Sequence, residues 1–302
     1  MHPAARLRVR GNESVSSCPV AGYGDIETIE FCPLVKATPV ITDDLDEAMC
    51  VAGIARGAMT SEPGSCVRIF PVAFRDLQDE ARFRKYERIA INVRHDTLDS
   101  RPESWRPARG GDIQRLSAAL STADSWSSRR DLIGSVPQFS MCEILSQHRG
   151  NGSSAAPTLA VIKPLDRPEL EILERDAEQL TRWQRRADAV AATPSLFDDP
   201  ALPKKALEVI PWRFRYKYRC QDAGCGGHTQ TIVDWEIIAF YLRVRHSPGW
   251  RSVMRKRWVD ELWEGRDSSL FVGNQHQHPQ GFLVLGVFWP PARAFTPSLW
   301  SV

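Results

Sequence analysis

Apolar and polar residues alternate most regularly over residues 212–220. There Trp212, Phe214, Tyr216, Tyr218 and Cys220 fall on one face, and Arg213, Arg215, Lys217 and Arg219 on the other. A period of two is the mark of a strand with one buried side. Residues 229–233 stand where a hairpin partner is expected, and residues 88–94 (RIAINVR) and 66–75 repeat the period, the latter with Pro71 at a bend or edge. Further extended segments are expected over 26–40, 47–54, 158–162 and 282–289 (FLVLGVFW). Helical spacing is expected over 76–86, 112–120, 126–133, 175–189, 235–246 and 250–263. Strands mostly precede helices, which favours an α+β fold over alternating βα units.

Punctuation divides this pattern. The small, flexible stretch 150–156 (GNGSSAA) separates two apolar-rich regions and is the expected linker. The reading is a leader over 1–24, a β-rich domain over 25–149 and an α+β domain over 157–302. Residues 99–107 (DSRPESWRP), with two prolines, read as a loop rich in donors and acceptors. At 302 residues, 42% hydrophobic and 25% charged, the chain has ordinary globular composition. It has no apolar run long enough for a membrane helix. Arg6, Arg8 and Arg10 have no apolar stretch behind them, so no secretory signal is expected.

The seven cysteines are odd in number and scattered, which points to a reducing cytoplasm and to metal chemistry before disulfides. Cys220, Cys225 and His228 form a C-x4-C-x2-H string whose glycines Gly224, Gly226 and Gly227 let a short loop wrap around an ion. Thiolate and imidazole are the ligands of structural Zn2+, and His276 or His278 is offered as the fourth. Three ligands and a water would instead make an open, catalytic site. The alternative is a glycine-rich hairpin with incidental cysteines.

Charge adds a second theme. Over residues 204–257 twelve Lys/Arg stand against Glu208, Asp222, Asp234 and Glu236, an excess of +8 that leaves −6 for the rest of a chain of net charge +2. Such a segment is the footprint expected for phosphate-bearing partners. The leading expectation is therefore a nucleic-acid-binding protein, in DNA maintenance or defence against foreign DNA. Arg213, Arg215, Lys217, Arg219, Arg251 and Arg255 would contact phosphates. The alternative reading of the alternation is an amphipathic strand with aromatics in the core and solvated cations.

Asp234, Glu236 and His276 suggest a metal-dependent hydrolase, a nuclease, as a second function. More plainly, Asp234 caps the helix that follows it. Thr193-Pro-Ser-Leu-Phe197 is similar to the short peptide with which bacterial replication proteins dock on the sliding clamp, making a protein-interaction adaptor a third. Phosphate loops with Lys-Ser/Thr, G-x-S-x-G elbows and G-x-G-x-x-G fingerprints are absent, which argues against common nucleotide hydrolases and dehydrogenases.

Several strings taken together resemble an uncharacterised bacterial protein family: Arg68-Ile-Phe-Pro-Val, Phe83-Arg-Lys-Tyr86, Asp99-Ser-Arg-Pro-Glu-Ser-Trp105, the Cys220–His228 loop with Asp234-Trp-Glu236, and residues 273–291. The resemblance spans about residues 26–291 and implies no particular activity. The N-terminal order, a cysteine-bearing strand, a short turn and a Val/Ile-Arg strand, is similar to small β-barrels of the OB type, which would agree with nucleic-acid binding.

Overall fold

The computed structural model describes residues 26–41, 47–56, 65–99, 101–108, 113–150, 156–192 and 206–292. Its strands in the first half are β1 (Glu27–Lys36), β2 (Val40–Ile41), β3 (Glu47–Arg56), β4 (Ser65–Val72), β5 (Ile89–His95), β6 (Ser104–Pro107) and β7 (Ile113–Arg115). The helices α1 (Ala123–Gly134) and α2 (Met141–Gly150) follow. Then come β8 (Leu159–Ile162), β9 (Glu169–Glu174), α3 (Ala177–Ala192), β10 (Trp212–Tyr218), β11 (His228–Thr231), α4 (Trp235–Val244) and α5 (Trp250–Arg255). After a π-helical turn at Lys256–Glu261, β12 (Ser269–Gln275) and β13 (His278–Phe288) complete the mixed α+β fold.

Five of the first strands close into a barrel in the order β1-β3-β4-β6-β5, with β5 pairing back onto β1. The β4–β6 pair is parallel and the other four pairings antiparallel. Barrel closure leaves none of these strands with a free edge along its whole length. The interior is the aliphatic face of each alternating strand: Ile29, Phe31, Val51, Val67, Ile69, Ile89, Ile91 and Val93, with Trp105 and Phe83. Gly53 is required where β1 and β3 cross, because a Cβ there would sit 2.1 Å from the Cys32 carbonyl oxygen.

Two expected helices are absent. Residues 76–86 form a single 3-10 turn at Phe74–Asp76 and further turns, because Phe74 and Phe83 both turn into the barrel and meet edge-to-face at 5.0 Å. Residues 112–120 instead supply β7, whose Ile113 packs on the barrel core while β7 pairs with β5. Trp105, read as part of a loop, is buried in β6.

In the second half, β9-β10-β11 form one antiparallel sheet and β8-β12-β13 another. Their shared core holds Phe214, Tyr216, Ile237, Tyr241, Trp258 and Val284, together with Met141 and Ile144 of α2. The helix α2 thus packs with the C-terminal core.

A third core forms the seam between halves. Leu34, Val35, Ala52 and Ile54, on the outside of β1 and β3, bury against Leu159, Val161, Phe271, Leu285 and Phe288. The void left there is about 20 Å³, room for little more than one water. Polar groups rivet the edge of the seam. Arg68, almost wholly buried on β4, donates to the carbonyls of Asn274 and Thr158 at 3.1 and 3.0 Å and to Glu103 at 3.2 Å. Arg101 donates to the same Asn274 carbonyl at 2.7 Å. In OB-type barrels the second and third strands and the loop between the last two form the usual ligand face. Here the outer face of β1 and β3 is packed against the C-terminal sheet, and Arg68 of β4 and Arg101 of the β5–β6 loop bond to Asn274 at its edge. No described helix is long and apolar enough to cross a membrane.

Candidate metal centre and basic surface

The β10–β11 connection carries two of the sulfurs and the imidazole. Inward alternation along β10 ends at Cys220, which is fully buried. The chain then turns through Asp222, whose side chain accepts from the Gly224 N–H at 2.8 Å and whose carbonyl accepts from the Cys225 N–H. Gly227 takes φ +102°, a conformation glycine adopts without strain, and so returns the chain to begin β11 at His228. The first turn of α2 brings a third sulfur, Cys142.

The donor atoms of Cys142, Cys220, Cys225 and His228 all lie within 4.8 Å of one another. The His228 Nε2 is 3.5 Å from the Cys142 sulfur, 3.4 Å from that of Cys220 and 3.2 Å from that of Cys225. A tetrahedral ion with arms of about 2.3 Å to sulfur and about 2.0 Å to nitrogen sets such pairs about 3.5 Å apart. The four side chains therefore fit a closed, four-ligand metal site. Backbone N–H groups of Cys220 and Gly227 donate to the Cys225 sulfur at 3.3 and 3.4 Å. Burial alone would raise the Cys220 thiol, but backbone N–H groups, His228 and Cys225 outweigh it and bring Cys220 down to about 6. Cys142 is pushed up to about 12 by desolvation and by the two other sulfurs; a bound dication reverses that order.

His276 and His278, offered by the sequence as the fourth ligand, are elsewhere. His276 is in the β12–β13 turn with its Nδ1 3.0 Å from Asp99, and His278 is exposed beside it. They do not reach the cluster because the turn leans over the barrel loop 96–103. Cys142 takes the place instead. It carried no signal in the sequence, since it belongs to no short motif and reaches the site only through the packing of α2.

Of the residues read as a nuclease centre, Asp234 and Glu236 stand together and His276 does not join them. Asp234 caps α4, accepting from the Glu236 N–H at 3.0 Å. Both its oxygens accept from Lys85 at 3.1 Å, and Lys85 reaches Glu236 at 3.2 Å. Burial raises the Asp234 carboxyl to about 6 against the pull of Lys85. Lys85 is itself penalised by burial, but the two carboxylates hold its ammonium above the usual lysine range. Asp234 and Lys85 thus form a buried ion pair, with the exposed Glu236 at its edge, that joins the segment before β5 to α4, and His276 touches Asp99 on another part of the seam.

The cations of the basic segment divide into two groups. Arg215 is bonded to Glu171 at 2.7 Å and Arg219 to Asp166 at 2.6 Å; Arg245 pairs with Glu208 and Arg257 with Glu261. Strand β9, adjacent to β10, supplies Glu171 and places Glu169 opposite Lys217. By contrast Arg213, Lys217, Arg243, Arg251, Arg255 and Lys256 make no ion pair among the described residues. The aromatics Phe214, Tyr216 and Tyr218 are buried in the core, as the amphipathic-strand reading of the alternation expects. Thr193–Phe197 lies outside the described residues.

Residues 29–135 match a family described as a domain of unknown function, DUF8758, and residues 137–300 a second one, DUF8757. No curated protein matches the chain. The DUF8757 match holds more than half of the sequence and contains all four side chains of the metal cluster, and the chain belongs to that family of domains of unknown function.

Proposed function

We propose that the protein binds nucleic acid through the exposed face of its C-terminal half, and that the Cys142/Cys220/Cys225/His228 cluster holds a structural Zn2+. The observation that carries the first reading is the set of unpaired cations. Arg213, Arg243, Arg251, Arg255 and Lys256 stay exposed or half-buried and form no ion pair among the described residues, although the chain places Glu or Asp beside other cations of the same segment, Glu169 opposite Lys217 included. Unpaired surface cations repel one another, and neutralising backbone phosphates with release of counterions relieves that repulsion. The outer face of β1 and β3, covered by the C-terminal sheet, is closed to such a partner. For the metal, three thiolates and an imidazole suit zinc, and four protein ligands leave no position for a reacting water.

Fluorescence anisotropy with labelled single-stranded DNA, duplex DNA and RNA across a salt series tests the first reading. Binding whose logarithm falls with log salt by about 0.7 to 0.9 per phosphate contacted supports it. No binding to any of them at low salt overturns it. Metal content of protein purified without added metal tests the second; one zinc per chain is expected.

A further inference from the structure

Between Ile237 and Val259 the chain has no Asp or Glu, yet it carries Arg243, Arg245, Arg251, Arg255, Lys256 and Arg257. Arg245 and Arg257 find carboxylates outside that stretch, Glu208 and Glu261, whereas Arg251, Arg255 and Lys256 form no ion pair among the described residues. The stretch folds as two packed helices. α4 ends at Val244, and after residues 245–249, where Gly249 takes φ +69°, a second helix begins at Trp250 and continues through α5 and the π-helical turn to Trp263. The rings of Tyr241 and Trp250, 5.2 Å apart, hold the two helices together across the turn. Met254, Trp258 and Leu262 recur every fourth residue along the second helix and bury in the C-terminal core. Arg251, Ser252, Arg255 and Lys256, at i, i+1, i+4 and i+5, share another side of it, and all four are exposed.

Charge on this helix runs against its own electrostatics. A helix N-terminus carries partial positive charge and favours Asp or Glu, whereas the first turn here has no acid and Arg251 stands in it. We propose that the helix beginning at Trp250 is a DNA-recognition helix, which enters the major groove of a duplex with Arg251, Ser252, Arg255 and Lys256 toward bases and phosphates. This role rests on the nucleic-acid reading and narrows it to one element and one ligand, B-form DNA. Two helices joined by a short turn with a glycine are a common way of presenting the second helix to DNA. A helix with its side chains is about 10 to 12 Å across, and the B-form major groove is about 12 Å wide. The deep, narrow major groove of A-form RNA admits no helix. Arg251 is held ready for such a contact, lying over the rings of Trp212 at 4.4 Å and Trp250 at 4.6 Å. Stacking uses the face of the guanidinium plane, so its N–H edge stays open to guanine or phosphate. Further along, Asp260 pairs with Arg167 at 3.3 Å and Glu261 with Arg257 at 3.0 Å. The unpaired cations are thus confined to the N-terminal part of the helix, the part that reads base edges in such pairs.

The test is fluorescence anisotropy of the full chain with a labelled DNA duplex, the RNA duplex of the same sequence and the single DNA strand. The variants are Arg255→Gln combined with Lys256→Gln, then Ser252→Glu, with Lys217→Gln on the outer face of β10 for comparison. The DNA duplex should bind more tightly than either other ligand by about tenfold or more. The double variant should weaken duplex binding about tenfold or more and flatten its log–log salt slope by about 2. Ser252→Glu should weaken it about tenfold, and Lys217→Gln by less than about twofold. All four substituted side chains are exposed, so melting temperature and metal content should match the wild type. A second measurement needs no variant: methyl green, a major-groove ligand, should displace the wild type from the duplex, and distamycin, a minor-groove ligand, should not. The reverse displacement, equal binding of the RNA duplex, or duplex affinity lowered by Lys217→Gln but not by the helix variants overturns the recognition helix and leaves the nucleic-acid reading standing. Binding of none of the three ligands overturns both.

Discussion

The barrel and the C-terminal half each hold three of the described cysteines, in opposite surroundings. Cys32 and Cys66 sit singly on barrel strands, where desolvation pushes their thiols up to about 11 and about 12, and burial raises Cys50 as well. Cys142, Cys220 and Cys225 converge on one imidazole. Isolated cysteines behave as small apolar side chains that complete packing. Clustered ones carry a cost in like charge that only a cation removes. The cysteines of the barrel therefore serve its packing, whereas those of the C-terminal half form, with His228, a cluster that could tie α2 to the β10–β11 hairpin through a metal ion.

The largest test of that contrast is at the cluster. Cys220→Ser, Cys225→Ser and Cys142→Ser should each lose the metal and lower stability by about 3 kcal/mol or more, since metal binding is folding free energy in such sites. Cys66→Ser should keep the metal and cost about 1 kcal/mol. Metal analysis and thermal melts decide this, and loss of metal in His276→Ala or His278→Ala would restore the ligand set first read from the sequence. The converse variant breaks the barrel. Gly53→Ala drives a methyl into the Cys32 carbonyl and should cost about 3 kcal/mol, with metal content per folded chain unchanged. A variant that lost metal as well would show that the two halves fold as one cooperative unit.

A smaller effect concerns pH at the seam. Burial alone would raise the Asp99 carboxyl, but bonds from Arg101 and Ser104 hold it well below the usual carboxylate range. A depressed carboxyl stabilises the fold above its unfolded value, near 4, and loses that contribution as pH falls toward its folded value. Asp99→Asn should thus lower the melting temperature at pH 7, by about 1 kcal/mol equivalent, and the gap from wild type should close below about pH 4. A gap constant with pH would mean that Asp99 acts by shape alone. Smallest in energy but sharpest in contrast is alkylation followed by mass spectrometry. Chelator should expose Cys142 and Cys225 to iodoacetamide within a time that leaves Cys32 and Cys66 unmodified.

Much of this contrast could be read from the chain. The strict alternation of 212–220 located β10, RIAINVR located β5, and Asp234 followed by an apolar helical run located the cap of α4. The five-stranded closure agrees with the OB-type reading of the N-terminal strands. Cys220, Cys225 and His228 were visible because short loops keep their ligands close in sequence. Cys142 was not, because tertiary packing of α2 leaves no spacing rule. The helix expected over 76–86 failed for a related reason: its apolar positions do fit a helix, but Phe83 and Tyr86 are buried in separate cores, and Tyr86 takes φ +67° to get there. The charge excess was counted along the chain, while the carboxylates that cancel part of it belong to β9 and its lead-in, outside the window counted.

The buried outer face of β1 and β3 has a practical consequence. A fragment ending before α1 would present Leu34, Val35, Ala52 and Ile54 to water as one sticky plane, and a fragment beginning at β8 would present Phe271, Leu285 and Phe288. Each piece would be prone to self-association, and a binding signal obtained with either one would report on a surface that the whole chain keeps to itself.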